Sequence, residues 1–413
     1  MYIEMSTARV KSIRRSRVTS LSPTEGLIRP KLNKQDFSYL VQVGIGTFMD
    51  GFPRSKTYYL QLDTGSQISW IQCEGCINCL NQVDPPFPAS QSTTYLPFLC
   101  TECPPDTICR NNKCVLDIEY VDGSKVSAIA AMEVFTFASQ GESNHPIKNI
   151  VFGCGFDMQN FHEGGIDKNK LSGVMGMSNG LYGFMEQTKL IFSGMFSYCL
   201  QPIFTQGSSP MYLRFGNDVL PQPIQMQVTP IYKYDGEGEY YLNLQGISVG
   251  AQRLAIRPDI FAIKSDGTGG CIIDSGTTLS WIVTGAFNVF KDAIISFIKD
   301  SNRDNNWRKM RKHETEYKLC YQRYKLPNTI VLPVITFHFE NNADYVIDVK
   351  QSFYLGTSSK GRDMVCLQYF ESTIDHHDGV TYLGGVQQAN KRIVYDLQNS
   401  LLHFGPADCS NEN

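Results

Sequence analysis

Leu62-Asp63-Thr64-Gly65-Ser66 and Ile273-Asp274-Ser275-Gly276-Thr277 are the two stretches whose reading decides the fold. In each, an aspartate follows an apolar run: Tyr58, Tyr59, Leu60 and Leu62 before Asp63, Ile272 and Ile273 before Asp274. Each aspartate is then followed by a hydroxyl residue, a glycine and a second hydroxyl residue. The pattern predicts a strand running into a tight turn with the carboxylate at the turn. Glycine lets the backbone turn sharply, and the hydroxyls can hydrogen-bond a carboxylate or the twin loop. One such run is weak evidence; two in matching surroundings are strong. Gly173-Val174-Met175-Gly176 follows the first aspartate and Tyr382-Leu383-Gly384 the second, with Gly176 113 residues after Asp63 and Gly384 110 residues after Asp274. That near-equality predicts an internal duplication in which each half contributes one carboxylate to a pair across a pseudo-twofold axis.

The 413-residue chain is long enough for two domains with sizeable cores, and 42% hydrophobic with 19% charged residues fits a globular protein. A formal net charge of −3 gives no electrostatic reason to expect nucleic acid. No apolar run approaches the ~20 residues of a membrane span. Thirteen cysteines, seven of them from Cys73 to Cys114, predict a disulfide-stapled loop and an oxidising compartment. Cys73-x-x-Cys76-x-x-Cys79 has a spacing that zinc also uses. No histidine sits nearby and four more cysteines follow as partners, so the reading is disulfide and no metal is expected. The secretory pathway, extracellular (apoplast) or vacuolar, is therefore the expected location, although no apolar signal segment precedes the basic residues Arg9 to Arg17.

Residues 1–35 read as a basic, polar tail. From Phe37, alternating and aromatic-rich runs bounded by Gly and Pro predict β-structure. The stretch 73–114 carries six prolines, from Pro85 to Pro105, and is expected to be an irregular ordered insert. Leu116-Asp117-Ile118-Glu119-Tyr120 alternates, and Asp122-Gly123 after it signals a hairpin turn over 116–127. A Pro-rich linker, with Pro221, Pro223 and Pro230, separates residues 36–220 from 221–413. Phe287, Phe290, Ile294, Phe297 and Ile298 fall at helical spacing, which predicts an amphipathic helix over 285–300. Otherwise the chain is mainly β.

Together, Tyr39–Gly46 (YLVQVGIG), LDTGSQISWIQC, Val151–Gly155 (VFGCG), FSYCL, YYLNLQGISVG, CIIDSGTTLSWI, YLGGVQQAN and FGPADC resemble the pepsin family of aspartic proteases, in its cysteine-rich, nepenthesin-like plant branch. The likeness covers roughly residues 37–409. It implies a bilobal, mainly β fold with pseudo-twofold duplicated lobes, the tail 1–35 being the remnant of a propeptide. It further implies a monomeric endopeptidase acting on peptides or proteins at acid pH without a cofactor. Carried over, Asp63 and Asp274 are the catalytic pair. Thr64 and Ser275 bridge the loops beneath it, Gly65 and Gly276 form the turns, and Ser66 and Thr277 bond the outer carboxylate oxygens. Tyr120 is the flap tyrosine and Trp70 its hydrogen-bond donor. The implied disulfides are Cys73–Cys76, Cys79–Cys154, Cys100–Cys114, Cys103–Cys109, Cys199–Cys409 and Cys320–Cys366, leaving Cys271 free.

Two departures stand out. Val121 occupies the place after the flap tyrosine where the family has glycine, and is expected to stiffen the tip and fill space above the cleft. Met177-Ser178-Asn179 replaces a Leu-Gly-Arg-like run and creates Gly176-x-Ser178-x-Gly180, the spacing of a serine-hydrolase elbow. The chain lacks the alternating β and α units that such an elbow needs. Asp375-His376-His377-Asp378 reads as an acidic solvated loop rather than a metal site. Some proteins of this plant branch are inactive binding proteins, xylanase inhibitors among them. Intact Asp loops and flap tyrosine favour the enzyme, with the inhibitor or binding role as the alternative.

Overall fold

The computed structural model describes residues 27–411, apart from 50–53, 140–143, 162–168, 204–208, 220–225, 235–237, 265–267, 303–307, 312–313, 324–330, 359–360 and 374–378. The basic residues before 27 and the Asp375–Asp378 run therefore lie outside the described residues.

Strands dominate, as the alternating runs predict, and they build two lobes on one long sheet. Its backbone is a 15-stranded sheet, one end of which belongs to both halves. There Gln227–Pro230, Leu401–Pro406 and Lys391–Asp396 from the second half run into Met195–Cys199 and Met211–Phe215 from the first. The halves meet where Met195–Cys199 pairs antiparallel with Lys391–Asp396, Phe196 opposite Tyr395. Three further four-stranded sheets complete the second lobe. One apolar cluster runs through both lobes, from Val41, Leu60 and Phe152 to Phe196, Tyr395, Ile282 and Phe337. Removing that much apolar surface from water is the main force holding the halves together.

Residues 31–35, expected in the basic tail, instead form the strand Lys31–Gln35 between Ser38–Ile45 and Met211–Phe215. Leu32 points into the core and is buried, which anchors the strand despite its charged neighbours. Arg29, just before it, clamps Asp218 with two bonds of 2.5 Å, and Arg214 approaches the same carboxylate at 3.6 Å.

The spacing-predicted helix is present as Thr284–Ser301, burying Ala286, Phe287, Phe290, Ile294 and Ile298 on one stripe. Each such large side chain taken from water contributes roughly 1.5–3 kcal/mol. Among the described residues, no helix is long and apolar enough to cross a membrane.

Six disulfides staple the fold, in a pairing that corrects four of the six expected bonds. Cys199–Cys409 and Cys320–Cys366 join the expected partners. Cys73 is bonded to Cys154 and Cys76 to Cys79, in place of Cys73–Cys76 and Cys79–Cys154. Cys73 and Cys76 both lie in the strand Trp70–Ile77, where residues three apart point to opposite faces and stand too far apart to bridge. Cys73 instead faces inward toward the parallel neighbour strand carrying Cys154. Past the strand, Asn78 at φ 49° turns the chain and brings Cys76 and Cys79 to a Cα separation of 5.6 Å. Cys100–Cys109 and Cys103–Cys114 likewise replace Cys100–Cys114 and Cys103–Cys109. The hairpin of Ile108–Arg110 and Lys113–Glu119 sets Cys109 opposite Cys114. Buried Cys114 takes half-buried Cys103 in a small apolar cluster with Leu116 and Tyr182, while exposed Cys109 takes Cys100. Cys271 is free and fully buried, and burial pushes its thiol well above its ordinary titration range.

Candidate active site

Each Asp loop is built the same way. Lys56–Asp63 runs parallel to Leu171–Gly176, and Cys271–Ile273, just before Asp274, runs parallel to Thr381–Leu383. In both halves the chain after the loop returns as a strand that pairs antiparallel with the same neighbour, Trp70 beside Val174 and Trp281 beside Tyr382. The apolar-apolar-Gly strand must cross this returning backbone closely. A Cβ on Gly176 would lie 2.6 Å from the Ile68 carbonyl carbon, and one on Gly384 2.7 Å from that of Leu279. No side chain fits there, which is the reason for both glycines. Two serines close the crossings: Ser69 Oγ accepts the Gly176 N–H at 3.0 Å, and Ser280 Oγ accepts that of Gly384 at 3.0 Å.

The loops lock into each other. Thr64 Oγ1 accepts the Ser275 N–H at 2.9 Å and Ser275 Oγ accepts the Thr64 N–H at 3.2 Å. Ser275 Oγ then donates to the Leu62 carbonyl at 2.8 Å. Gln61 adds a bond from its side-chain amide to the Gly276 carbonyl, 3.0 Å. These crossed bonds bring Asp63 and Asp274 together, 8% and 6% exposed. Each turn glycine is packed against the other half's carboxylate. A Cβ on Gly65 would stand 3.1 Å from Asp274 Cγ, and one on Gly276 would overlap Asp63 Oδ1 and Cγ outright.

Hydrogen bonds hold both carboxylates rigidly. Asp63 Oδ1 accepts the N–H groups of Gly65 at 2.9 Å and Ser66 at 3.1 Å, and Oδ2 accepts the Ser66 hydroxyl. Asp274 Oδ1 accepts the Gly276 N–H at 2.9 Å, while its Oδ2 takes the Thr277 N–H at 2.9 Å and hydroxyl at 2.6 Å. Burial, and next the charge of Asp274, push Asp63 up to about 8 against the pull of Ser66 and Gly65. Two carboxylates brought together in this way favour sharing one proton between them.

A hairpin stands over the first loop. Lys113–Glu119 and Lys125–Ala138 are joined by a turn in which Gly123 takes φ 84° and Asp122 Oδ1 accepts the Ser124 N–H and hydroxyl. Trp70 Nε1 donates to the Tyr120 hydroxyl at 2.6 Å, and the Ser66 hydroxyl donates to Asp63 Oδ2. Phe161 packs edge-on against both rings, at 5.8 Å from Trp70 and 6.4 Å from Tyr120. Val121, expected to fill space above the cleft, is instead 60% exposed at the turn.

Ser178 is no nucleophile elbow. It is fully buried, its Oγ accepts the Gly180 N–H at 3.3 Å, and Gly238 packs directly over it. Among the described residues no cluster of His, Cys, Asp and Glu could hold a metal ion.

Sequence reasoning passed over Gln61, Ser69, Ser280 and Phe161. Ser69 and Ser280 each lie six residues after their aspartate, a repeat that could have found them. Phe161 has no local signal, because it reaches the site only through the fold.

Residues 39–217 match the family profile described as Xylanase inhibitor N-terminal, and residues 239–406 the one described as Xylanase inhibitor C-terminal. Aspartic proteinase nepenthesin-2 of Nepenthes gracilis is 31% identical over 387 residues, covering 91% of this chain and 78% of the relative. The crystal structure of edgp superposes with a TM-score of 0.71 at 18% identity, over 95% of this chain and 99% of that one. Conglutin gamma, a basic 7S globulin from lupine seeds, gives 0.67 at 18% identity, over 94% and 98%. At such identities the two structures are similar to this chain in fold alone.

Proposed function

We propose, from the premise that the chain belongs to the pepsin-like, nepenthesin-like family of plant aspartic proteases, that it is an endopeptidase cleaving peptide bonds at acid pH. The observation that carries this reading is the crossed pair of loops, which presents two buried carboxylates, each accepting two N–H groups and one hydroxyl from its own turn. The carboxylates are then left with one shared proton and one task.

The ionised member of the pair draws a proton from a water held between the two, and the water attacks the scissile carbonyl carbon. The protonated member hydrogen-bonds the carbonyl oxygen as negative charge develops there. A tetrahedral diol results. Proton transfer to the amide nitrogen then breaks the C–N bond, releasing an amine and a carboxylic acid. The pair titrates as a unit, so base and acid are not assigned individually. Tyr120, held by Trp70, closes the hairpin over the substrate. Peptides or proteins are the substrates of a monomeric enzyme, with no cofactor. Six disulfides support passage through the secretory pathway, to the apoplast or the vacuole.

A second reading draws on the inhibitor names of the two family profiles and on the globulin among the structural neighbours: a binding protein on the same fold. One assay separates them. Cleavage of a protein substrate with a bell-shaped acid profile, blocked by pepstatin, is the expected result. A pure, folded chain with no such cleavage between pH 2 and 7 would leave the binding role in its place.

A further inference from the structure

The second lobe carries a serine, a histidine and an aspartate that the reaction described above does not use. The sheet of Gln252–Arg253, Leu244–Val249, Ile335–Phe339 and Ala343–Ile347 turns Ile247, Val249, Phe337 and Tyr345 into the core. Strand alternation then puts Ser248, Arg253, His338 and Asp344 together on the opposite face. His338 stands directly opposite Asp344, across a tight turn in which Asn341 and Asn342 take φ 66° and 55°. On its other side His338 is opposite Gly246, so Ser248, two residues further on, is its diagonal neighbour.

The three side chains form one line. His338 Nδ1 lies 2.7 Å from Asp344 Oδ1, and Ser248 Oγ lies 2.7 Å from His338 Nε2. An ionised carboxylate can only accept, so Nδ1 carries the ring proton and the neutral imidazole leaves Nε2 bare. Nε2 therefore accepts the Ser248 hydroxyl. This is the tautomer in which an imidazole takes the proton of a serine as that serine attacks. A cation stands on the same face. The extra residue of a bulge, Gln245, offers its carbonyl to Arg253 Nη2 at 3.0 Å. The guanidinium lies against Gly246, where a Cβ would stand 2.9 Å from Nη2 and 3.2 Å from Cζ. Glycine makes that room, and the N–H groups of Arg253 not bonded to Gln245 remain for an anionic oxygen.

We propose that Ser248, His338 and Asp344 form a second catalytic centre, a serine esterase for small carboxylic esters that works independently of the Asp pair. Ser248 Oγ bonds to the ester carbonyl carbon as its proton passes to His338 Nε2, and the Arg253 guanidinium faces the oxyanion. Collapse breaks the bond to the alcohol, which leaves with the proton from Nε2. Water, giving a proton to the same nitrogen, then splits the acyl-serine into a carboxylic acid and the free hydroxyl. Asp344 is a positioning residue that holds the ring in its working tautomer. The strand carrying Ser248 is paired on both sides, so its backbone N–H groups serve the ladders and the guanidinium acts alone on the oxyanion. That suits an ester, with its better leaving group, rather than a peptide. Ser248 is only 7% exposed, so a small acyl group is the one that reaches its oxygen.

The proposal stands apart from the peptidase reading, and its test does not depend on peptide cleavage. Hydrolysis of p-nitrophenyl acetate at neutral pH, and labelling by a fluorophosphonate, are measured on the full chain. The wild type is compared with Asp63→Asn, Ser248→Ala, His338→Gln, Asp344→Asn and Asp344→Glu, each checked for an unchanged Tm. Wild type and Asp63→Asn should turn over the ester equally, with peptide mapping finding the phosphonyl adduct on Ser248. Ser248→Ala and His338→Gln should each lower kcat/KM by about 10²-fold or more. Asp344→Asn should lose less, and Asp344→Glu should restore both turnover and labelling, which a merely structural role would not require. Ester turnover undiminished in Ser248→Ala, or lost in Asp63→Asn, overturns the proposal. So does a wild type without an adduct on Ser248, a result that decides the matter even where a variant fails to fold.

Discussion

Around Asp63 the carboxylate takes N–H groups from the second and third residues after it and a hydroxyl from the third; around Asp274 the same three groups do the same work. The glycine crossings and the closing serines also repeat. The surroundings do not. Trp70 reaches up to the hairpin tyrosine, whereas Trp281, its counterpart seven residues after Asp274, packs on Phe370 at 5.1 Å. The Thr64 hydroxyl is shared between the Ile273 carbonyl and Asp274 Oδ1, both at 3.4 Å, whereas the Ser275 hydroxyl is committed to the Leu62 carbonyl at 2.8 Å. Duplication supplies two like carboxylates; asymmetric neighbours allow them unlike roles.

The comparison breaks most severely at the carboxylates themselves. Asp63→Asn and Asp274→Asn should each lower kcat by about 10³-fold or more, because an amide keeps the shape and loses the proton exchange. Near-wild-type turnover in either variant would mean that the two loops are not equal partners.

The glycines sharpen it. Gly276→Ala forces a methyl into the Asp63 carboxylate, whereas Gly65→Ala brings one to a tight but tolerable 3.1 Å from Asp274. The first should cost about 1–3 kcal/mol of stability with a matching loss of activity, and the second clearly less. Equal effects, read by chemical denaturation and kcat together, would contradict the asymmetric packing.

Proton linkage gives a third, smaller effect. Asp63 is raised in the fold from 3.8 to about 8, so the folded state binds more protons than the unfolded chain between those values. The stability this confers is complete below the unfolded value and lost as pH rises through the folded one. Asp63→Asn removes the dependence. It should melt ~4–8 °C above wild type at pH 8 and show little difference at pH 3.5. A constant offset at both pH values would place the proton elsewhere.

Val121 should matter least. Its exposed side chain makes Val121→Gly a surface change, worth no more than about twofold in the ratio of kcat/KM for bulky and small peptides. A tenfold change would show that the hairpin closes far enough in the complex to bring Val121 onto the substrate.

The Asp loops were legible because the chemistry spells itself out twice within five residues, and the helix Thr284–Ser301 because five apolar residues keep its period. The cysteine pairing was not. It turns on where the strand Trp70–Ile77 ends and on the left-handed turn at Asn78, neither of which spacing records. The strand Lys31–Gln35 was hidden among lysines because one of its two neighbours, Met211–Phe215, lies far along the chain. The buried hydrogen bonds of Tyr198 with Gln388 and Tyr395 join residues up to 197 positions apart, so only the assembled sheet reveals them.

The crossed bonds between Thr64 and Ser275 span 211 residues. At a synthesis rate of ~5–20 residues per second, the first loop waits roughly ten to forty seconds for its counterpart to be made. Throughout that interval the nascent chain carries a solitary, ordinary carboxylate. A pair of carboxylates divided this way cannot meet on a partly made chain. The sheet that both halves share is itself complete only when Leu401–Pro406, near the end of the chain, has been made.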